Sequence, residues 1–301
     1  MTMVRRPVLS GSWYPADPKE LATSVDHFLA GADPAQLPAG QPWLAVTPHA
    51  GHAHCGPVAG RLFGLLGNWR PDNIIILAPN HRLALTEIAL PEESAFATPL
   101  GEVPVNTEMV NRLAKESGFS LNPAAHAQEH AIEIVLPFIQ RTWPGAAASI
   151  PPNIPPSIPP NIVPMLVPMS DPAALTLAGR VLRQTIGEND LLLVSSDFTH
   201  YGGSFGYVPF TEDIPMALER LDAGAILKIL GGDATGLLQY GRDTGITMCG
   251  LAACCVAMSE GPPLGYEAVL LDYGRSADKD GDYSFSVSYA ALLLTNGKEM
   301  A

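Results

Sequence analysis

The chain has 301 residues, 47% apolar and 16% charged, a balance that can bury a sizeable core and excludes a disordered chain. Seventeen Lys and Arg against thirty Asp and Glu give a formal charge of -13, which repels phosphate backbones and anionic lipid surfaces, so neither nucleic acid nor a membrane surface is expected as a partner. Arg5 and Arg6 are not followed by the apolar run of a secretory signal, the longest apolar runs fall far short of the ~20 residues of a membrane span, and four cysteines with Cys254 and Cys255 adjacent suit a reducing compartment; a cytoplasmic location is expected.

In chain order, apolar periodicity predicts a helix over 18–30, a strand over 44–46, a helix over 56–66 and a strand over 74–78. A helix over 107–117 follows, then a strand over 162–167, a helix over 173–186 and a strand over 191–194. Helices over 217–229 and 249–258 and strands over 266–271 and 284–294 complete the chain. Strands alternating with helices, several of the strands continuously apolar, predict an α/β fold: a single domain over 1–301 with a mixed, mostly parallel sheet flanked by helices. The repeat Ile-Pro-Pro-Asn, Ile-Pro-Pro-Ser, Ile-Pro-Pro-Asn permits neither helix nor central strand, and 150–161 is expected to be a stiff surface insertion loop.

Three polar clusters sit directly after apolar runs: Pro48-His49-Ala50-Gly51, Asn80-His81 after Pro79, and Ser195-Ser196-Asp197-Phe198-Thr199-His200. Ligands of open α/β sheets bind at the carboxyl ends of strands, so these ends can bring His49, His81 and His200 together. His126, Glu129, His130 and Glu133 open a helical pattern whose spacing puts His130 on one face with His126 and Glu133. Imidazole and thiolate suit iron, copper or zinc, and an open site uses three protein ligands. An isolated histidine is more often structural than a ligand, however, and spacing alone does not select a third ligand among His52, His54, His126, His130, His200 and the cysteines.

The same segments resemble, in order and across nearly the whole chain, the MEMO family, also known as AmmeMemoRadiSam system protein B. The anchors are Ser10-Gly11-Ser12-Trp13-Tyr14, Pro48-His49-Ala50-Gly51 with Cys55-Gly56, Asn80-His81, Thr98-Pro99-Leu100-Gly101, Glu129-His130-Ala131-Ile132-Glu133 with Leu136-Pro137, Val194-Ser195-Ser196-Asp197-Phe198 with His200, Cys249-Gly250, and Ser286-Val287-Ser288-Tyr289-Ala290. The resemblance implies a fold like the catalytic subunit of class III extradiol dioxygenases, which hold non-haem Fe(II) with two His and one Glu. It also implies a pocket with a Cys in place of that carboxylate, mapping onto His49, His81 and Cys249, and one ion, copper or iron in preference to zinc.

Asp197, His200, His130 and Glu133 are the candidate catalytic or orienting groups around that trio, while Trp13, Tyr14 and Arg82 are candidate ligand-binding residues at its rim. A start-of-helix position is expected to lower the pKa of Cys249. Two departures stand out: Arg82 follows His81 where a second His is common, and Asp272-Tyr273-Gly274 replaces Asn-Tyr-Ala. The first expectation for function is redox or oxygen-related chemistry on an unknown substrate. Rival expectations are a non-catalytic module binding a small molecule or peptide on a vestigial site, and a catechol extradiol dioxygenase. Radical-SAM and AMMECR-type proteins are the partners that the resemblance implies.

Overall fold

The structure, a computed structural model, describes residues 3–144 and 160–297. Its first half contains β1 (Val4–Arg5), α1 (Pro18–Leu29), β2 (Pro42–Thr47), α2 (His52–Leu66), β3 (Asn73–Pro79), β4 (Ile88–Leu90), β5 (Ala95–Thr98), β6 (Gly101–Pro104), α3 (Thr107–Leu113), β7 (Phe119–Leu121), α4 (Pro123–Ala127) and α5 (Leu136–Thr142). Its second half contains β8 (Asn161–Val167), α6 (Pro172–Thr185), β9 (Leu191–Ser195), β10 (His200–Gly202), α7 (Ile214–Leu230), α8 (Ala234–Thr244), α9 (Leu251–Met258), β11 (Glu267–Arg275) and β12 (Phe285–Thr295). Nearly all of the 150–161 repeat lies outside the described residues; β8 begins at its last position.

The main sheet has nine strands in the order β10-β12-β2-β9-β3-β8-β4-β7, with β11 also paired to β12. Its centre, β2-β9-β3-β8, is parallel, and there the continuous apolar runs Ile74 to Ala78 and Leu191 to Val194 are buried on both faces. Towards both edges the pairing turns antiparallel, through β12 against β2 on one side and β4 against β8 on the other. A separate three-stranded sheet, β1-β5-β6, carries the N-terminus. The chain is therefore one mixed α/β domain with helices on its sheet. The short strands β4 to β7 and β10, and helix α8 with Gly236 and Gly241 inside it, carry too little periodicity to be read from sequence.

Local chemistry explains the helix starts. Asp17 and Asp171 each precede a proline at the first helical position, and each carboxylate accepts two backbone N–H bonds, from Lys19 and Glu20 and from Ala173 and Ala174. Helix α2 starts four residues earlier than the apolar pattern suggested, at His52. Pro57 lies inside it and cannot donate to the Ala53 carbonyl; the Lys279 ammonium donates to that carbonyl instead. Gly56, Gly60 and Gly64 keep one face of α2 flat, because a Cβ at any of them would collide with Phe28 or the backbone at the end of α1.

Two buried histidines belong to this scaffold. His52 Nε2 lies 2.9 Å from the Ile134 carbonyl and His126 Nε2 3.0 Å from the Ala89 carbonyl, so each donates there as a neutral imidazole. Burial lowers both pKa values to about 4. An unfolded chain takes up these protons near pH 6.5, so the stability they contribute is complete above that pH and is lost as pH falls towards about 4. Between pH 7 and pH 5 the free energy of unfolding falls by about 2 kcal/mol per histidine. Urea titrations across that range measure the slope, and His126→Gln makes it shallower.

Candidate metal centre

Strands β2, β9 and β3 are adjacent and parallel, with Thr47 opposite Ser195 and Val194 opposite Leu77. Their carboxyl ends therefore open onto one crevice. His49, Asp197 and His81 each stand two residues beyond the end of their strand and so arrive at the same place. The turn that follows α4 adds His130. The ligand nitrogens of His49, His81 and His130 all lie within 4.8 Å of one another. Ring centroids are 5.4 Å apart for His49 and His81, 5.5 Å for His49 and His130, and 4.5 Å for His81 and His130.

Two of the rings are hydrogen-bonded through Nδ1, and the third, His130, sets its Nδ1 near a carboxylate without a hydrogen bond. Ser195 Oγ gives its proton to the Ala131 carbonyl at 2.6 Å, so it must accept from His49 Nδ1 at 2.8 Å, leaving Nε2 with a free lone pair. Glu129 orients the other two. Its Oε1 lies 2.9 Å from His81 Nδ1 and 3.1 Å from His130 Nδ1, while its Oε2 accepts the His81 backbone N–H at 2.7 Å. Burial alone would raise the Glu129 pKa, but the neighbouring His130 and His81 hold it far below the usual carboxylate range. This carboxylate behind two imidazoles is the arrangement that fixes tautomer and ring direction in metal sites. Burial, with His130 and His81 nearby, keeps the His49 pKa well below its ordinary value, so its ring is neutral and able to coordinate.

Cys249 flanks the cluster. Its Sγ lies 3.3 Å from His49 Nε2 and accepts the Asp197 backbone N–H at 3.2 Å. Gly250 permits this approach, since a Cβ there would meet the Ser196 side chain at 2.3 Å. Helix α9 starts only at Leu251, and the expected lowering of the Cys249 pKa is reversed: burial and the Asp197 carboxyl push the thiol up. The cation that would replace its proton is what would stabilise a thiolate here. Asp197 Oδ1 accepts the His49 backbone N–H at 2.8 Å, and burial raises its own pKa. His200 Nδ1 lies 3.0 Å from both the Phe198 and Thr247 carbonyls, so it carries the proton and Nε2 is left as a base.

The segment 126–133 corrects the expectation of one helical face. Helix α4 ends at Ala127, and the Glu129 side chain folds back to accept the backbone N–H groups of His130 and Ala131, which stops the helix from propagating. His126 is thereby sent into the scaffold and His130 into the cluster. Glu133, expected beside the pocket, is instead committed to the N-terminal segment. Its carboxylate pairs with Arg5 and accepts from the Val8 and Leu9 backbone at 2.9 Å and from the Tyr14 hydroxyl at 2.6 Å. Tyr14 is accordingly buried beside His52 and does not stand at a rim. Trp13 does: it is exposed and meets the His130 ring edge-on at 4.9 Å. Arg82 is exposed next to His81.

The family described as Memo-like protein matches residues 5–293. The chain belongs to the Memo family. Among its relatives, the MEMO1 family protein of Thermococcus kodakarensis is 31% identical over 97% of this chain and 99% of its own length. Those of Methanopyrus kandleri and Thermococcus onnurineus are 30% and 32% identical, each covering at least 97% of this chain. All three histidines of the cluster, with Glu129, Asp197 and Cys249, lie inside the matched span of this Memo protein. Glu129 is the residue that sequence reasoning passed over as a pocket group, though its place between two candidate ligands was the available signal. Glu129→Gln removes the charge that holds two rings and is expected to weaken metal affinity 10–100-fold, read by competition with a chromophoric chelator.

Proposed function

We propose that this Memo protein binds one transition-metal ion at His49, His81 and His130, with the Cys249 sulfur beside His49, and uses it for redox or oxygen-related chemistry. The observation that carries this reading is the convergence of three imidazoles with ligand nitrogens within 4.8 Å of one another, two of them hydrogen-bonded through Nδ1 to Ser195 and Glu129 and the third with its Nδ1 3.1 Å from the Glu129 carboxylate. A nitrogen-rich set with a neighbouring soft sulfur suits copper or iron better than a hard oxygen-seeking ion. When bound, such an ion supplies one-electron redox chemistry and affinity for oxygen.

The chain's own residues hold and serve that centre. Glu129 and Ser195 fix the rings, Asp197 fixes the His49 backbone, and His200 offers Nε2 to take up or return a proton. Catechol ring cleavage is disfavoured, because the carboxylate nearest the cluster is Glu129 and both its oxygens are already committed to His81, His130 and Ala131. A place beside radical-SAM and AMMECR-type proteins rests on family resemblance alone. Among the described residues no helix is long and apolar enough to cross a membrane.

Elemental analysis of anaerobically purified protein tests the reading. About one copper or iron per chain in the wild type and none in His49→Ala is the expected result. Protein that stays metal-free with excess Cu(I), Fe(II) and Zn(II) points to a non-catalytic binding module instead.

A further inference from the structure

A second feature shares Cys249 with the surroundings of the imidazole cluster. A cavity of about 240 Å³ is bounded by Asn80, Leu83 and Leu85 after β3, by Val167 and Met169 at the end of β8, and by Cys249 with Ala252 of α9. Among the described residues no charged side chain lines it, although the chain carries 47 residues of Asp, Glu, Lys and Arg and Arg82 lies in the middle of the loop that forms one wall. The Asn80 amide at one wall donates to the Leu83 carbonyl and accepts the Leu83 N–H at 3.4 Å. The Cys249 sulfur joins the cleft to the imidazoles, 3.3 Å from His49 Nε2. Apolar side chains stand at the mouth: Leu83 is 43% and Met169 62% exposed, and large apolar groups left open at the lip of a cleft mark a binding surface.

We infer that this cleft takes the apolar body of a neutral organic substrate and presents its reactive end to Cys249 and the imidazole cluster. The inference rests on the metal-site reading and adds to it the class of molecule that enters. An anionic molecule would lose its hydration against Leu83, Leu85, Val167 and Met169 with no cation lining the cleft to compensate. A neutral molecule with an aliphatic or aromatic body gains by burying it, and a soft donor atom at its head suits the sulfur and nitrogen end.

The probe is a series of straight-chain alkanethiols, ethanethiol to hexanethiol, with mercaptoacetate as the charged control. Binding is read from the methyl resonance of 13C-labelled Met169 in metal-free protein and in protein loaded with Cu(I). Affinity is expected to rise about fourfold for each added methylene, which is the ~0.8 kcal/mol of burying one CH2, until the cleft is full. Mercaptoacetate is expected to bind at least tenfold more weakly than propanethiol. Leu83→Asp, at an exposed position, is expected to abolish the chain-length dependence while leaving metal content unchanged. Chain-length dependence in protein that binds no metal would keep the cleft and remove the metal reading. Metal binding with affinity independent of chain length, or a preference for mercaptoacetate, would overturn the inference.

Discussion

Replacing Glu133 with Ala will cost the fold about 3–5 kcal/mol, the loss expected when one partner of a buried ion pair is removed and the other is left charged. Arg5 and Glu133 are fully enclosed. Arg5 also donates to the carbonyls of His126 at 3.2 Å and Glu129 at 2.7 Å, while Glu133 gathers the backbone of Val8 and Leu9 and the hydroxyl of Tyr14. The pair therefore ties the N-terminal segment to the turn that aims His130 and Glu129. Chemical denaturation of Glu133→Ala measures the loss. The double variant Arg5→Met with Glu133→Leu recovers only the part due to the orphaned charge, because Val8, Leu9 and Tyr14 still lose their acceptor. Equal stability of wild type and Glu133→Ala would show that the pair does not hold this corner together.

His130→Ala will lower metal affinity by more than 100-fold, beyond the 10–100-fold typical of an outer-sphere residue such as Glu129. Its ring is one of three that face a common point, and neither neighbour can replace it, since His81 and His49 are held on their own partners. Cys249→Ala discriminates between two roles for the sulfur. A loss of the same size makes the thiolate a fourth ligand, whereas a loss of under tenfold makes it a neighbour that shapes the access side. Competition titrations against a chelator of known affinity read both variants. The Cys249→Ser variant, which keeps the size of the side chain, separates packing from ligation.

Much of this architecture can be read before any coordinates, because a buried parallel strand has to be apolar along its whole length and its polar sequel has to be a loop at one end of the sheet. That logic finds β2, β3, β8 and β9 within a residue or two at each end, and brings His49 and His81 to one crevice, whereas His200, expected there with them, stands on β10 and is not among the three clustered imidazoles. It fails where side chains overrule periodicity. Spacing over 126–133 reads as a helix, but the Glu129 carboxylate captures the next two backbone N–H groups and breaks it, so His130 joins the cluster while His126 and Glu133 leave it. Tyr14 looks like a rim aromatic beside Trp13, yet its hydroxyl finds a buried acceptor in Glu133. For Cys249, helix position argues for a low pKa, but the residue lies ahead of the first turn of α9, and burial of the sulfur with the adjacent Asp197 pushes the thiol up.

Anomalous X-ray scattering from crystals of protein reconstituted with Cu(I) or Fe(II) under nitrogen places the ion itself. An anomalous peak about 2.0–2.2 Å from the Nε2 atoms of His49, His81 and His130 together is the predicted result. A peak that lies on Cys249 and His49 while His130 stands clear of it, or no peak between these rings at all, would contradict the three-imidazole centre.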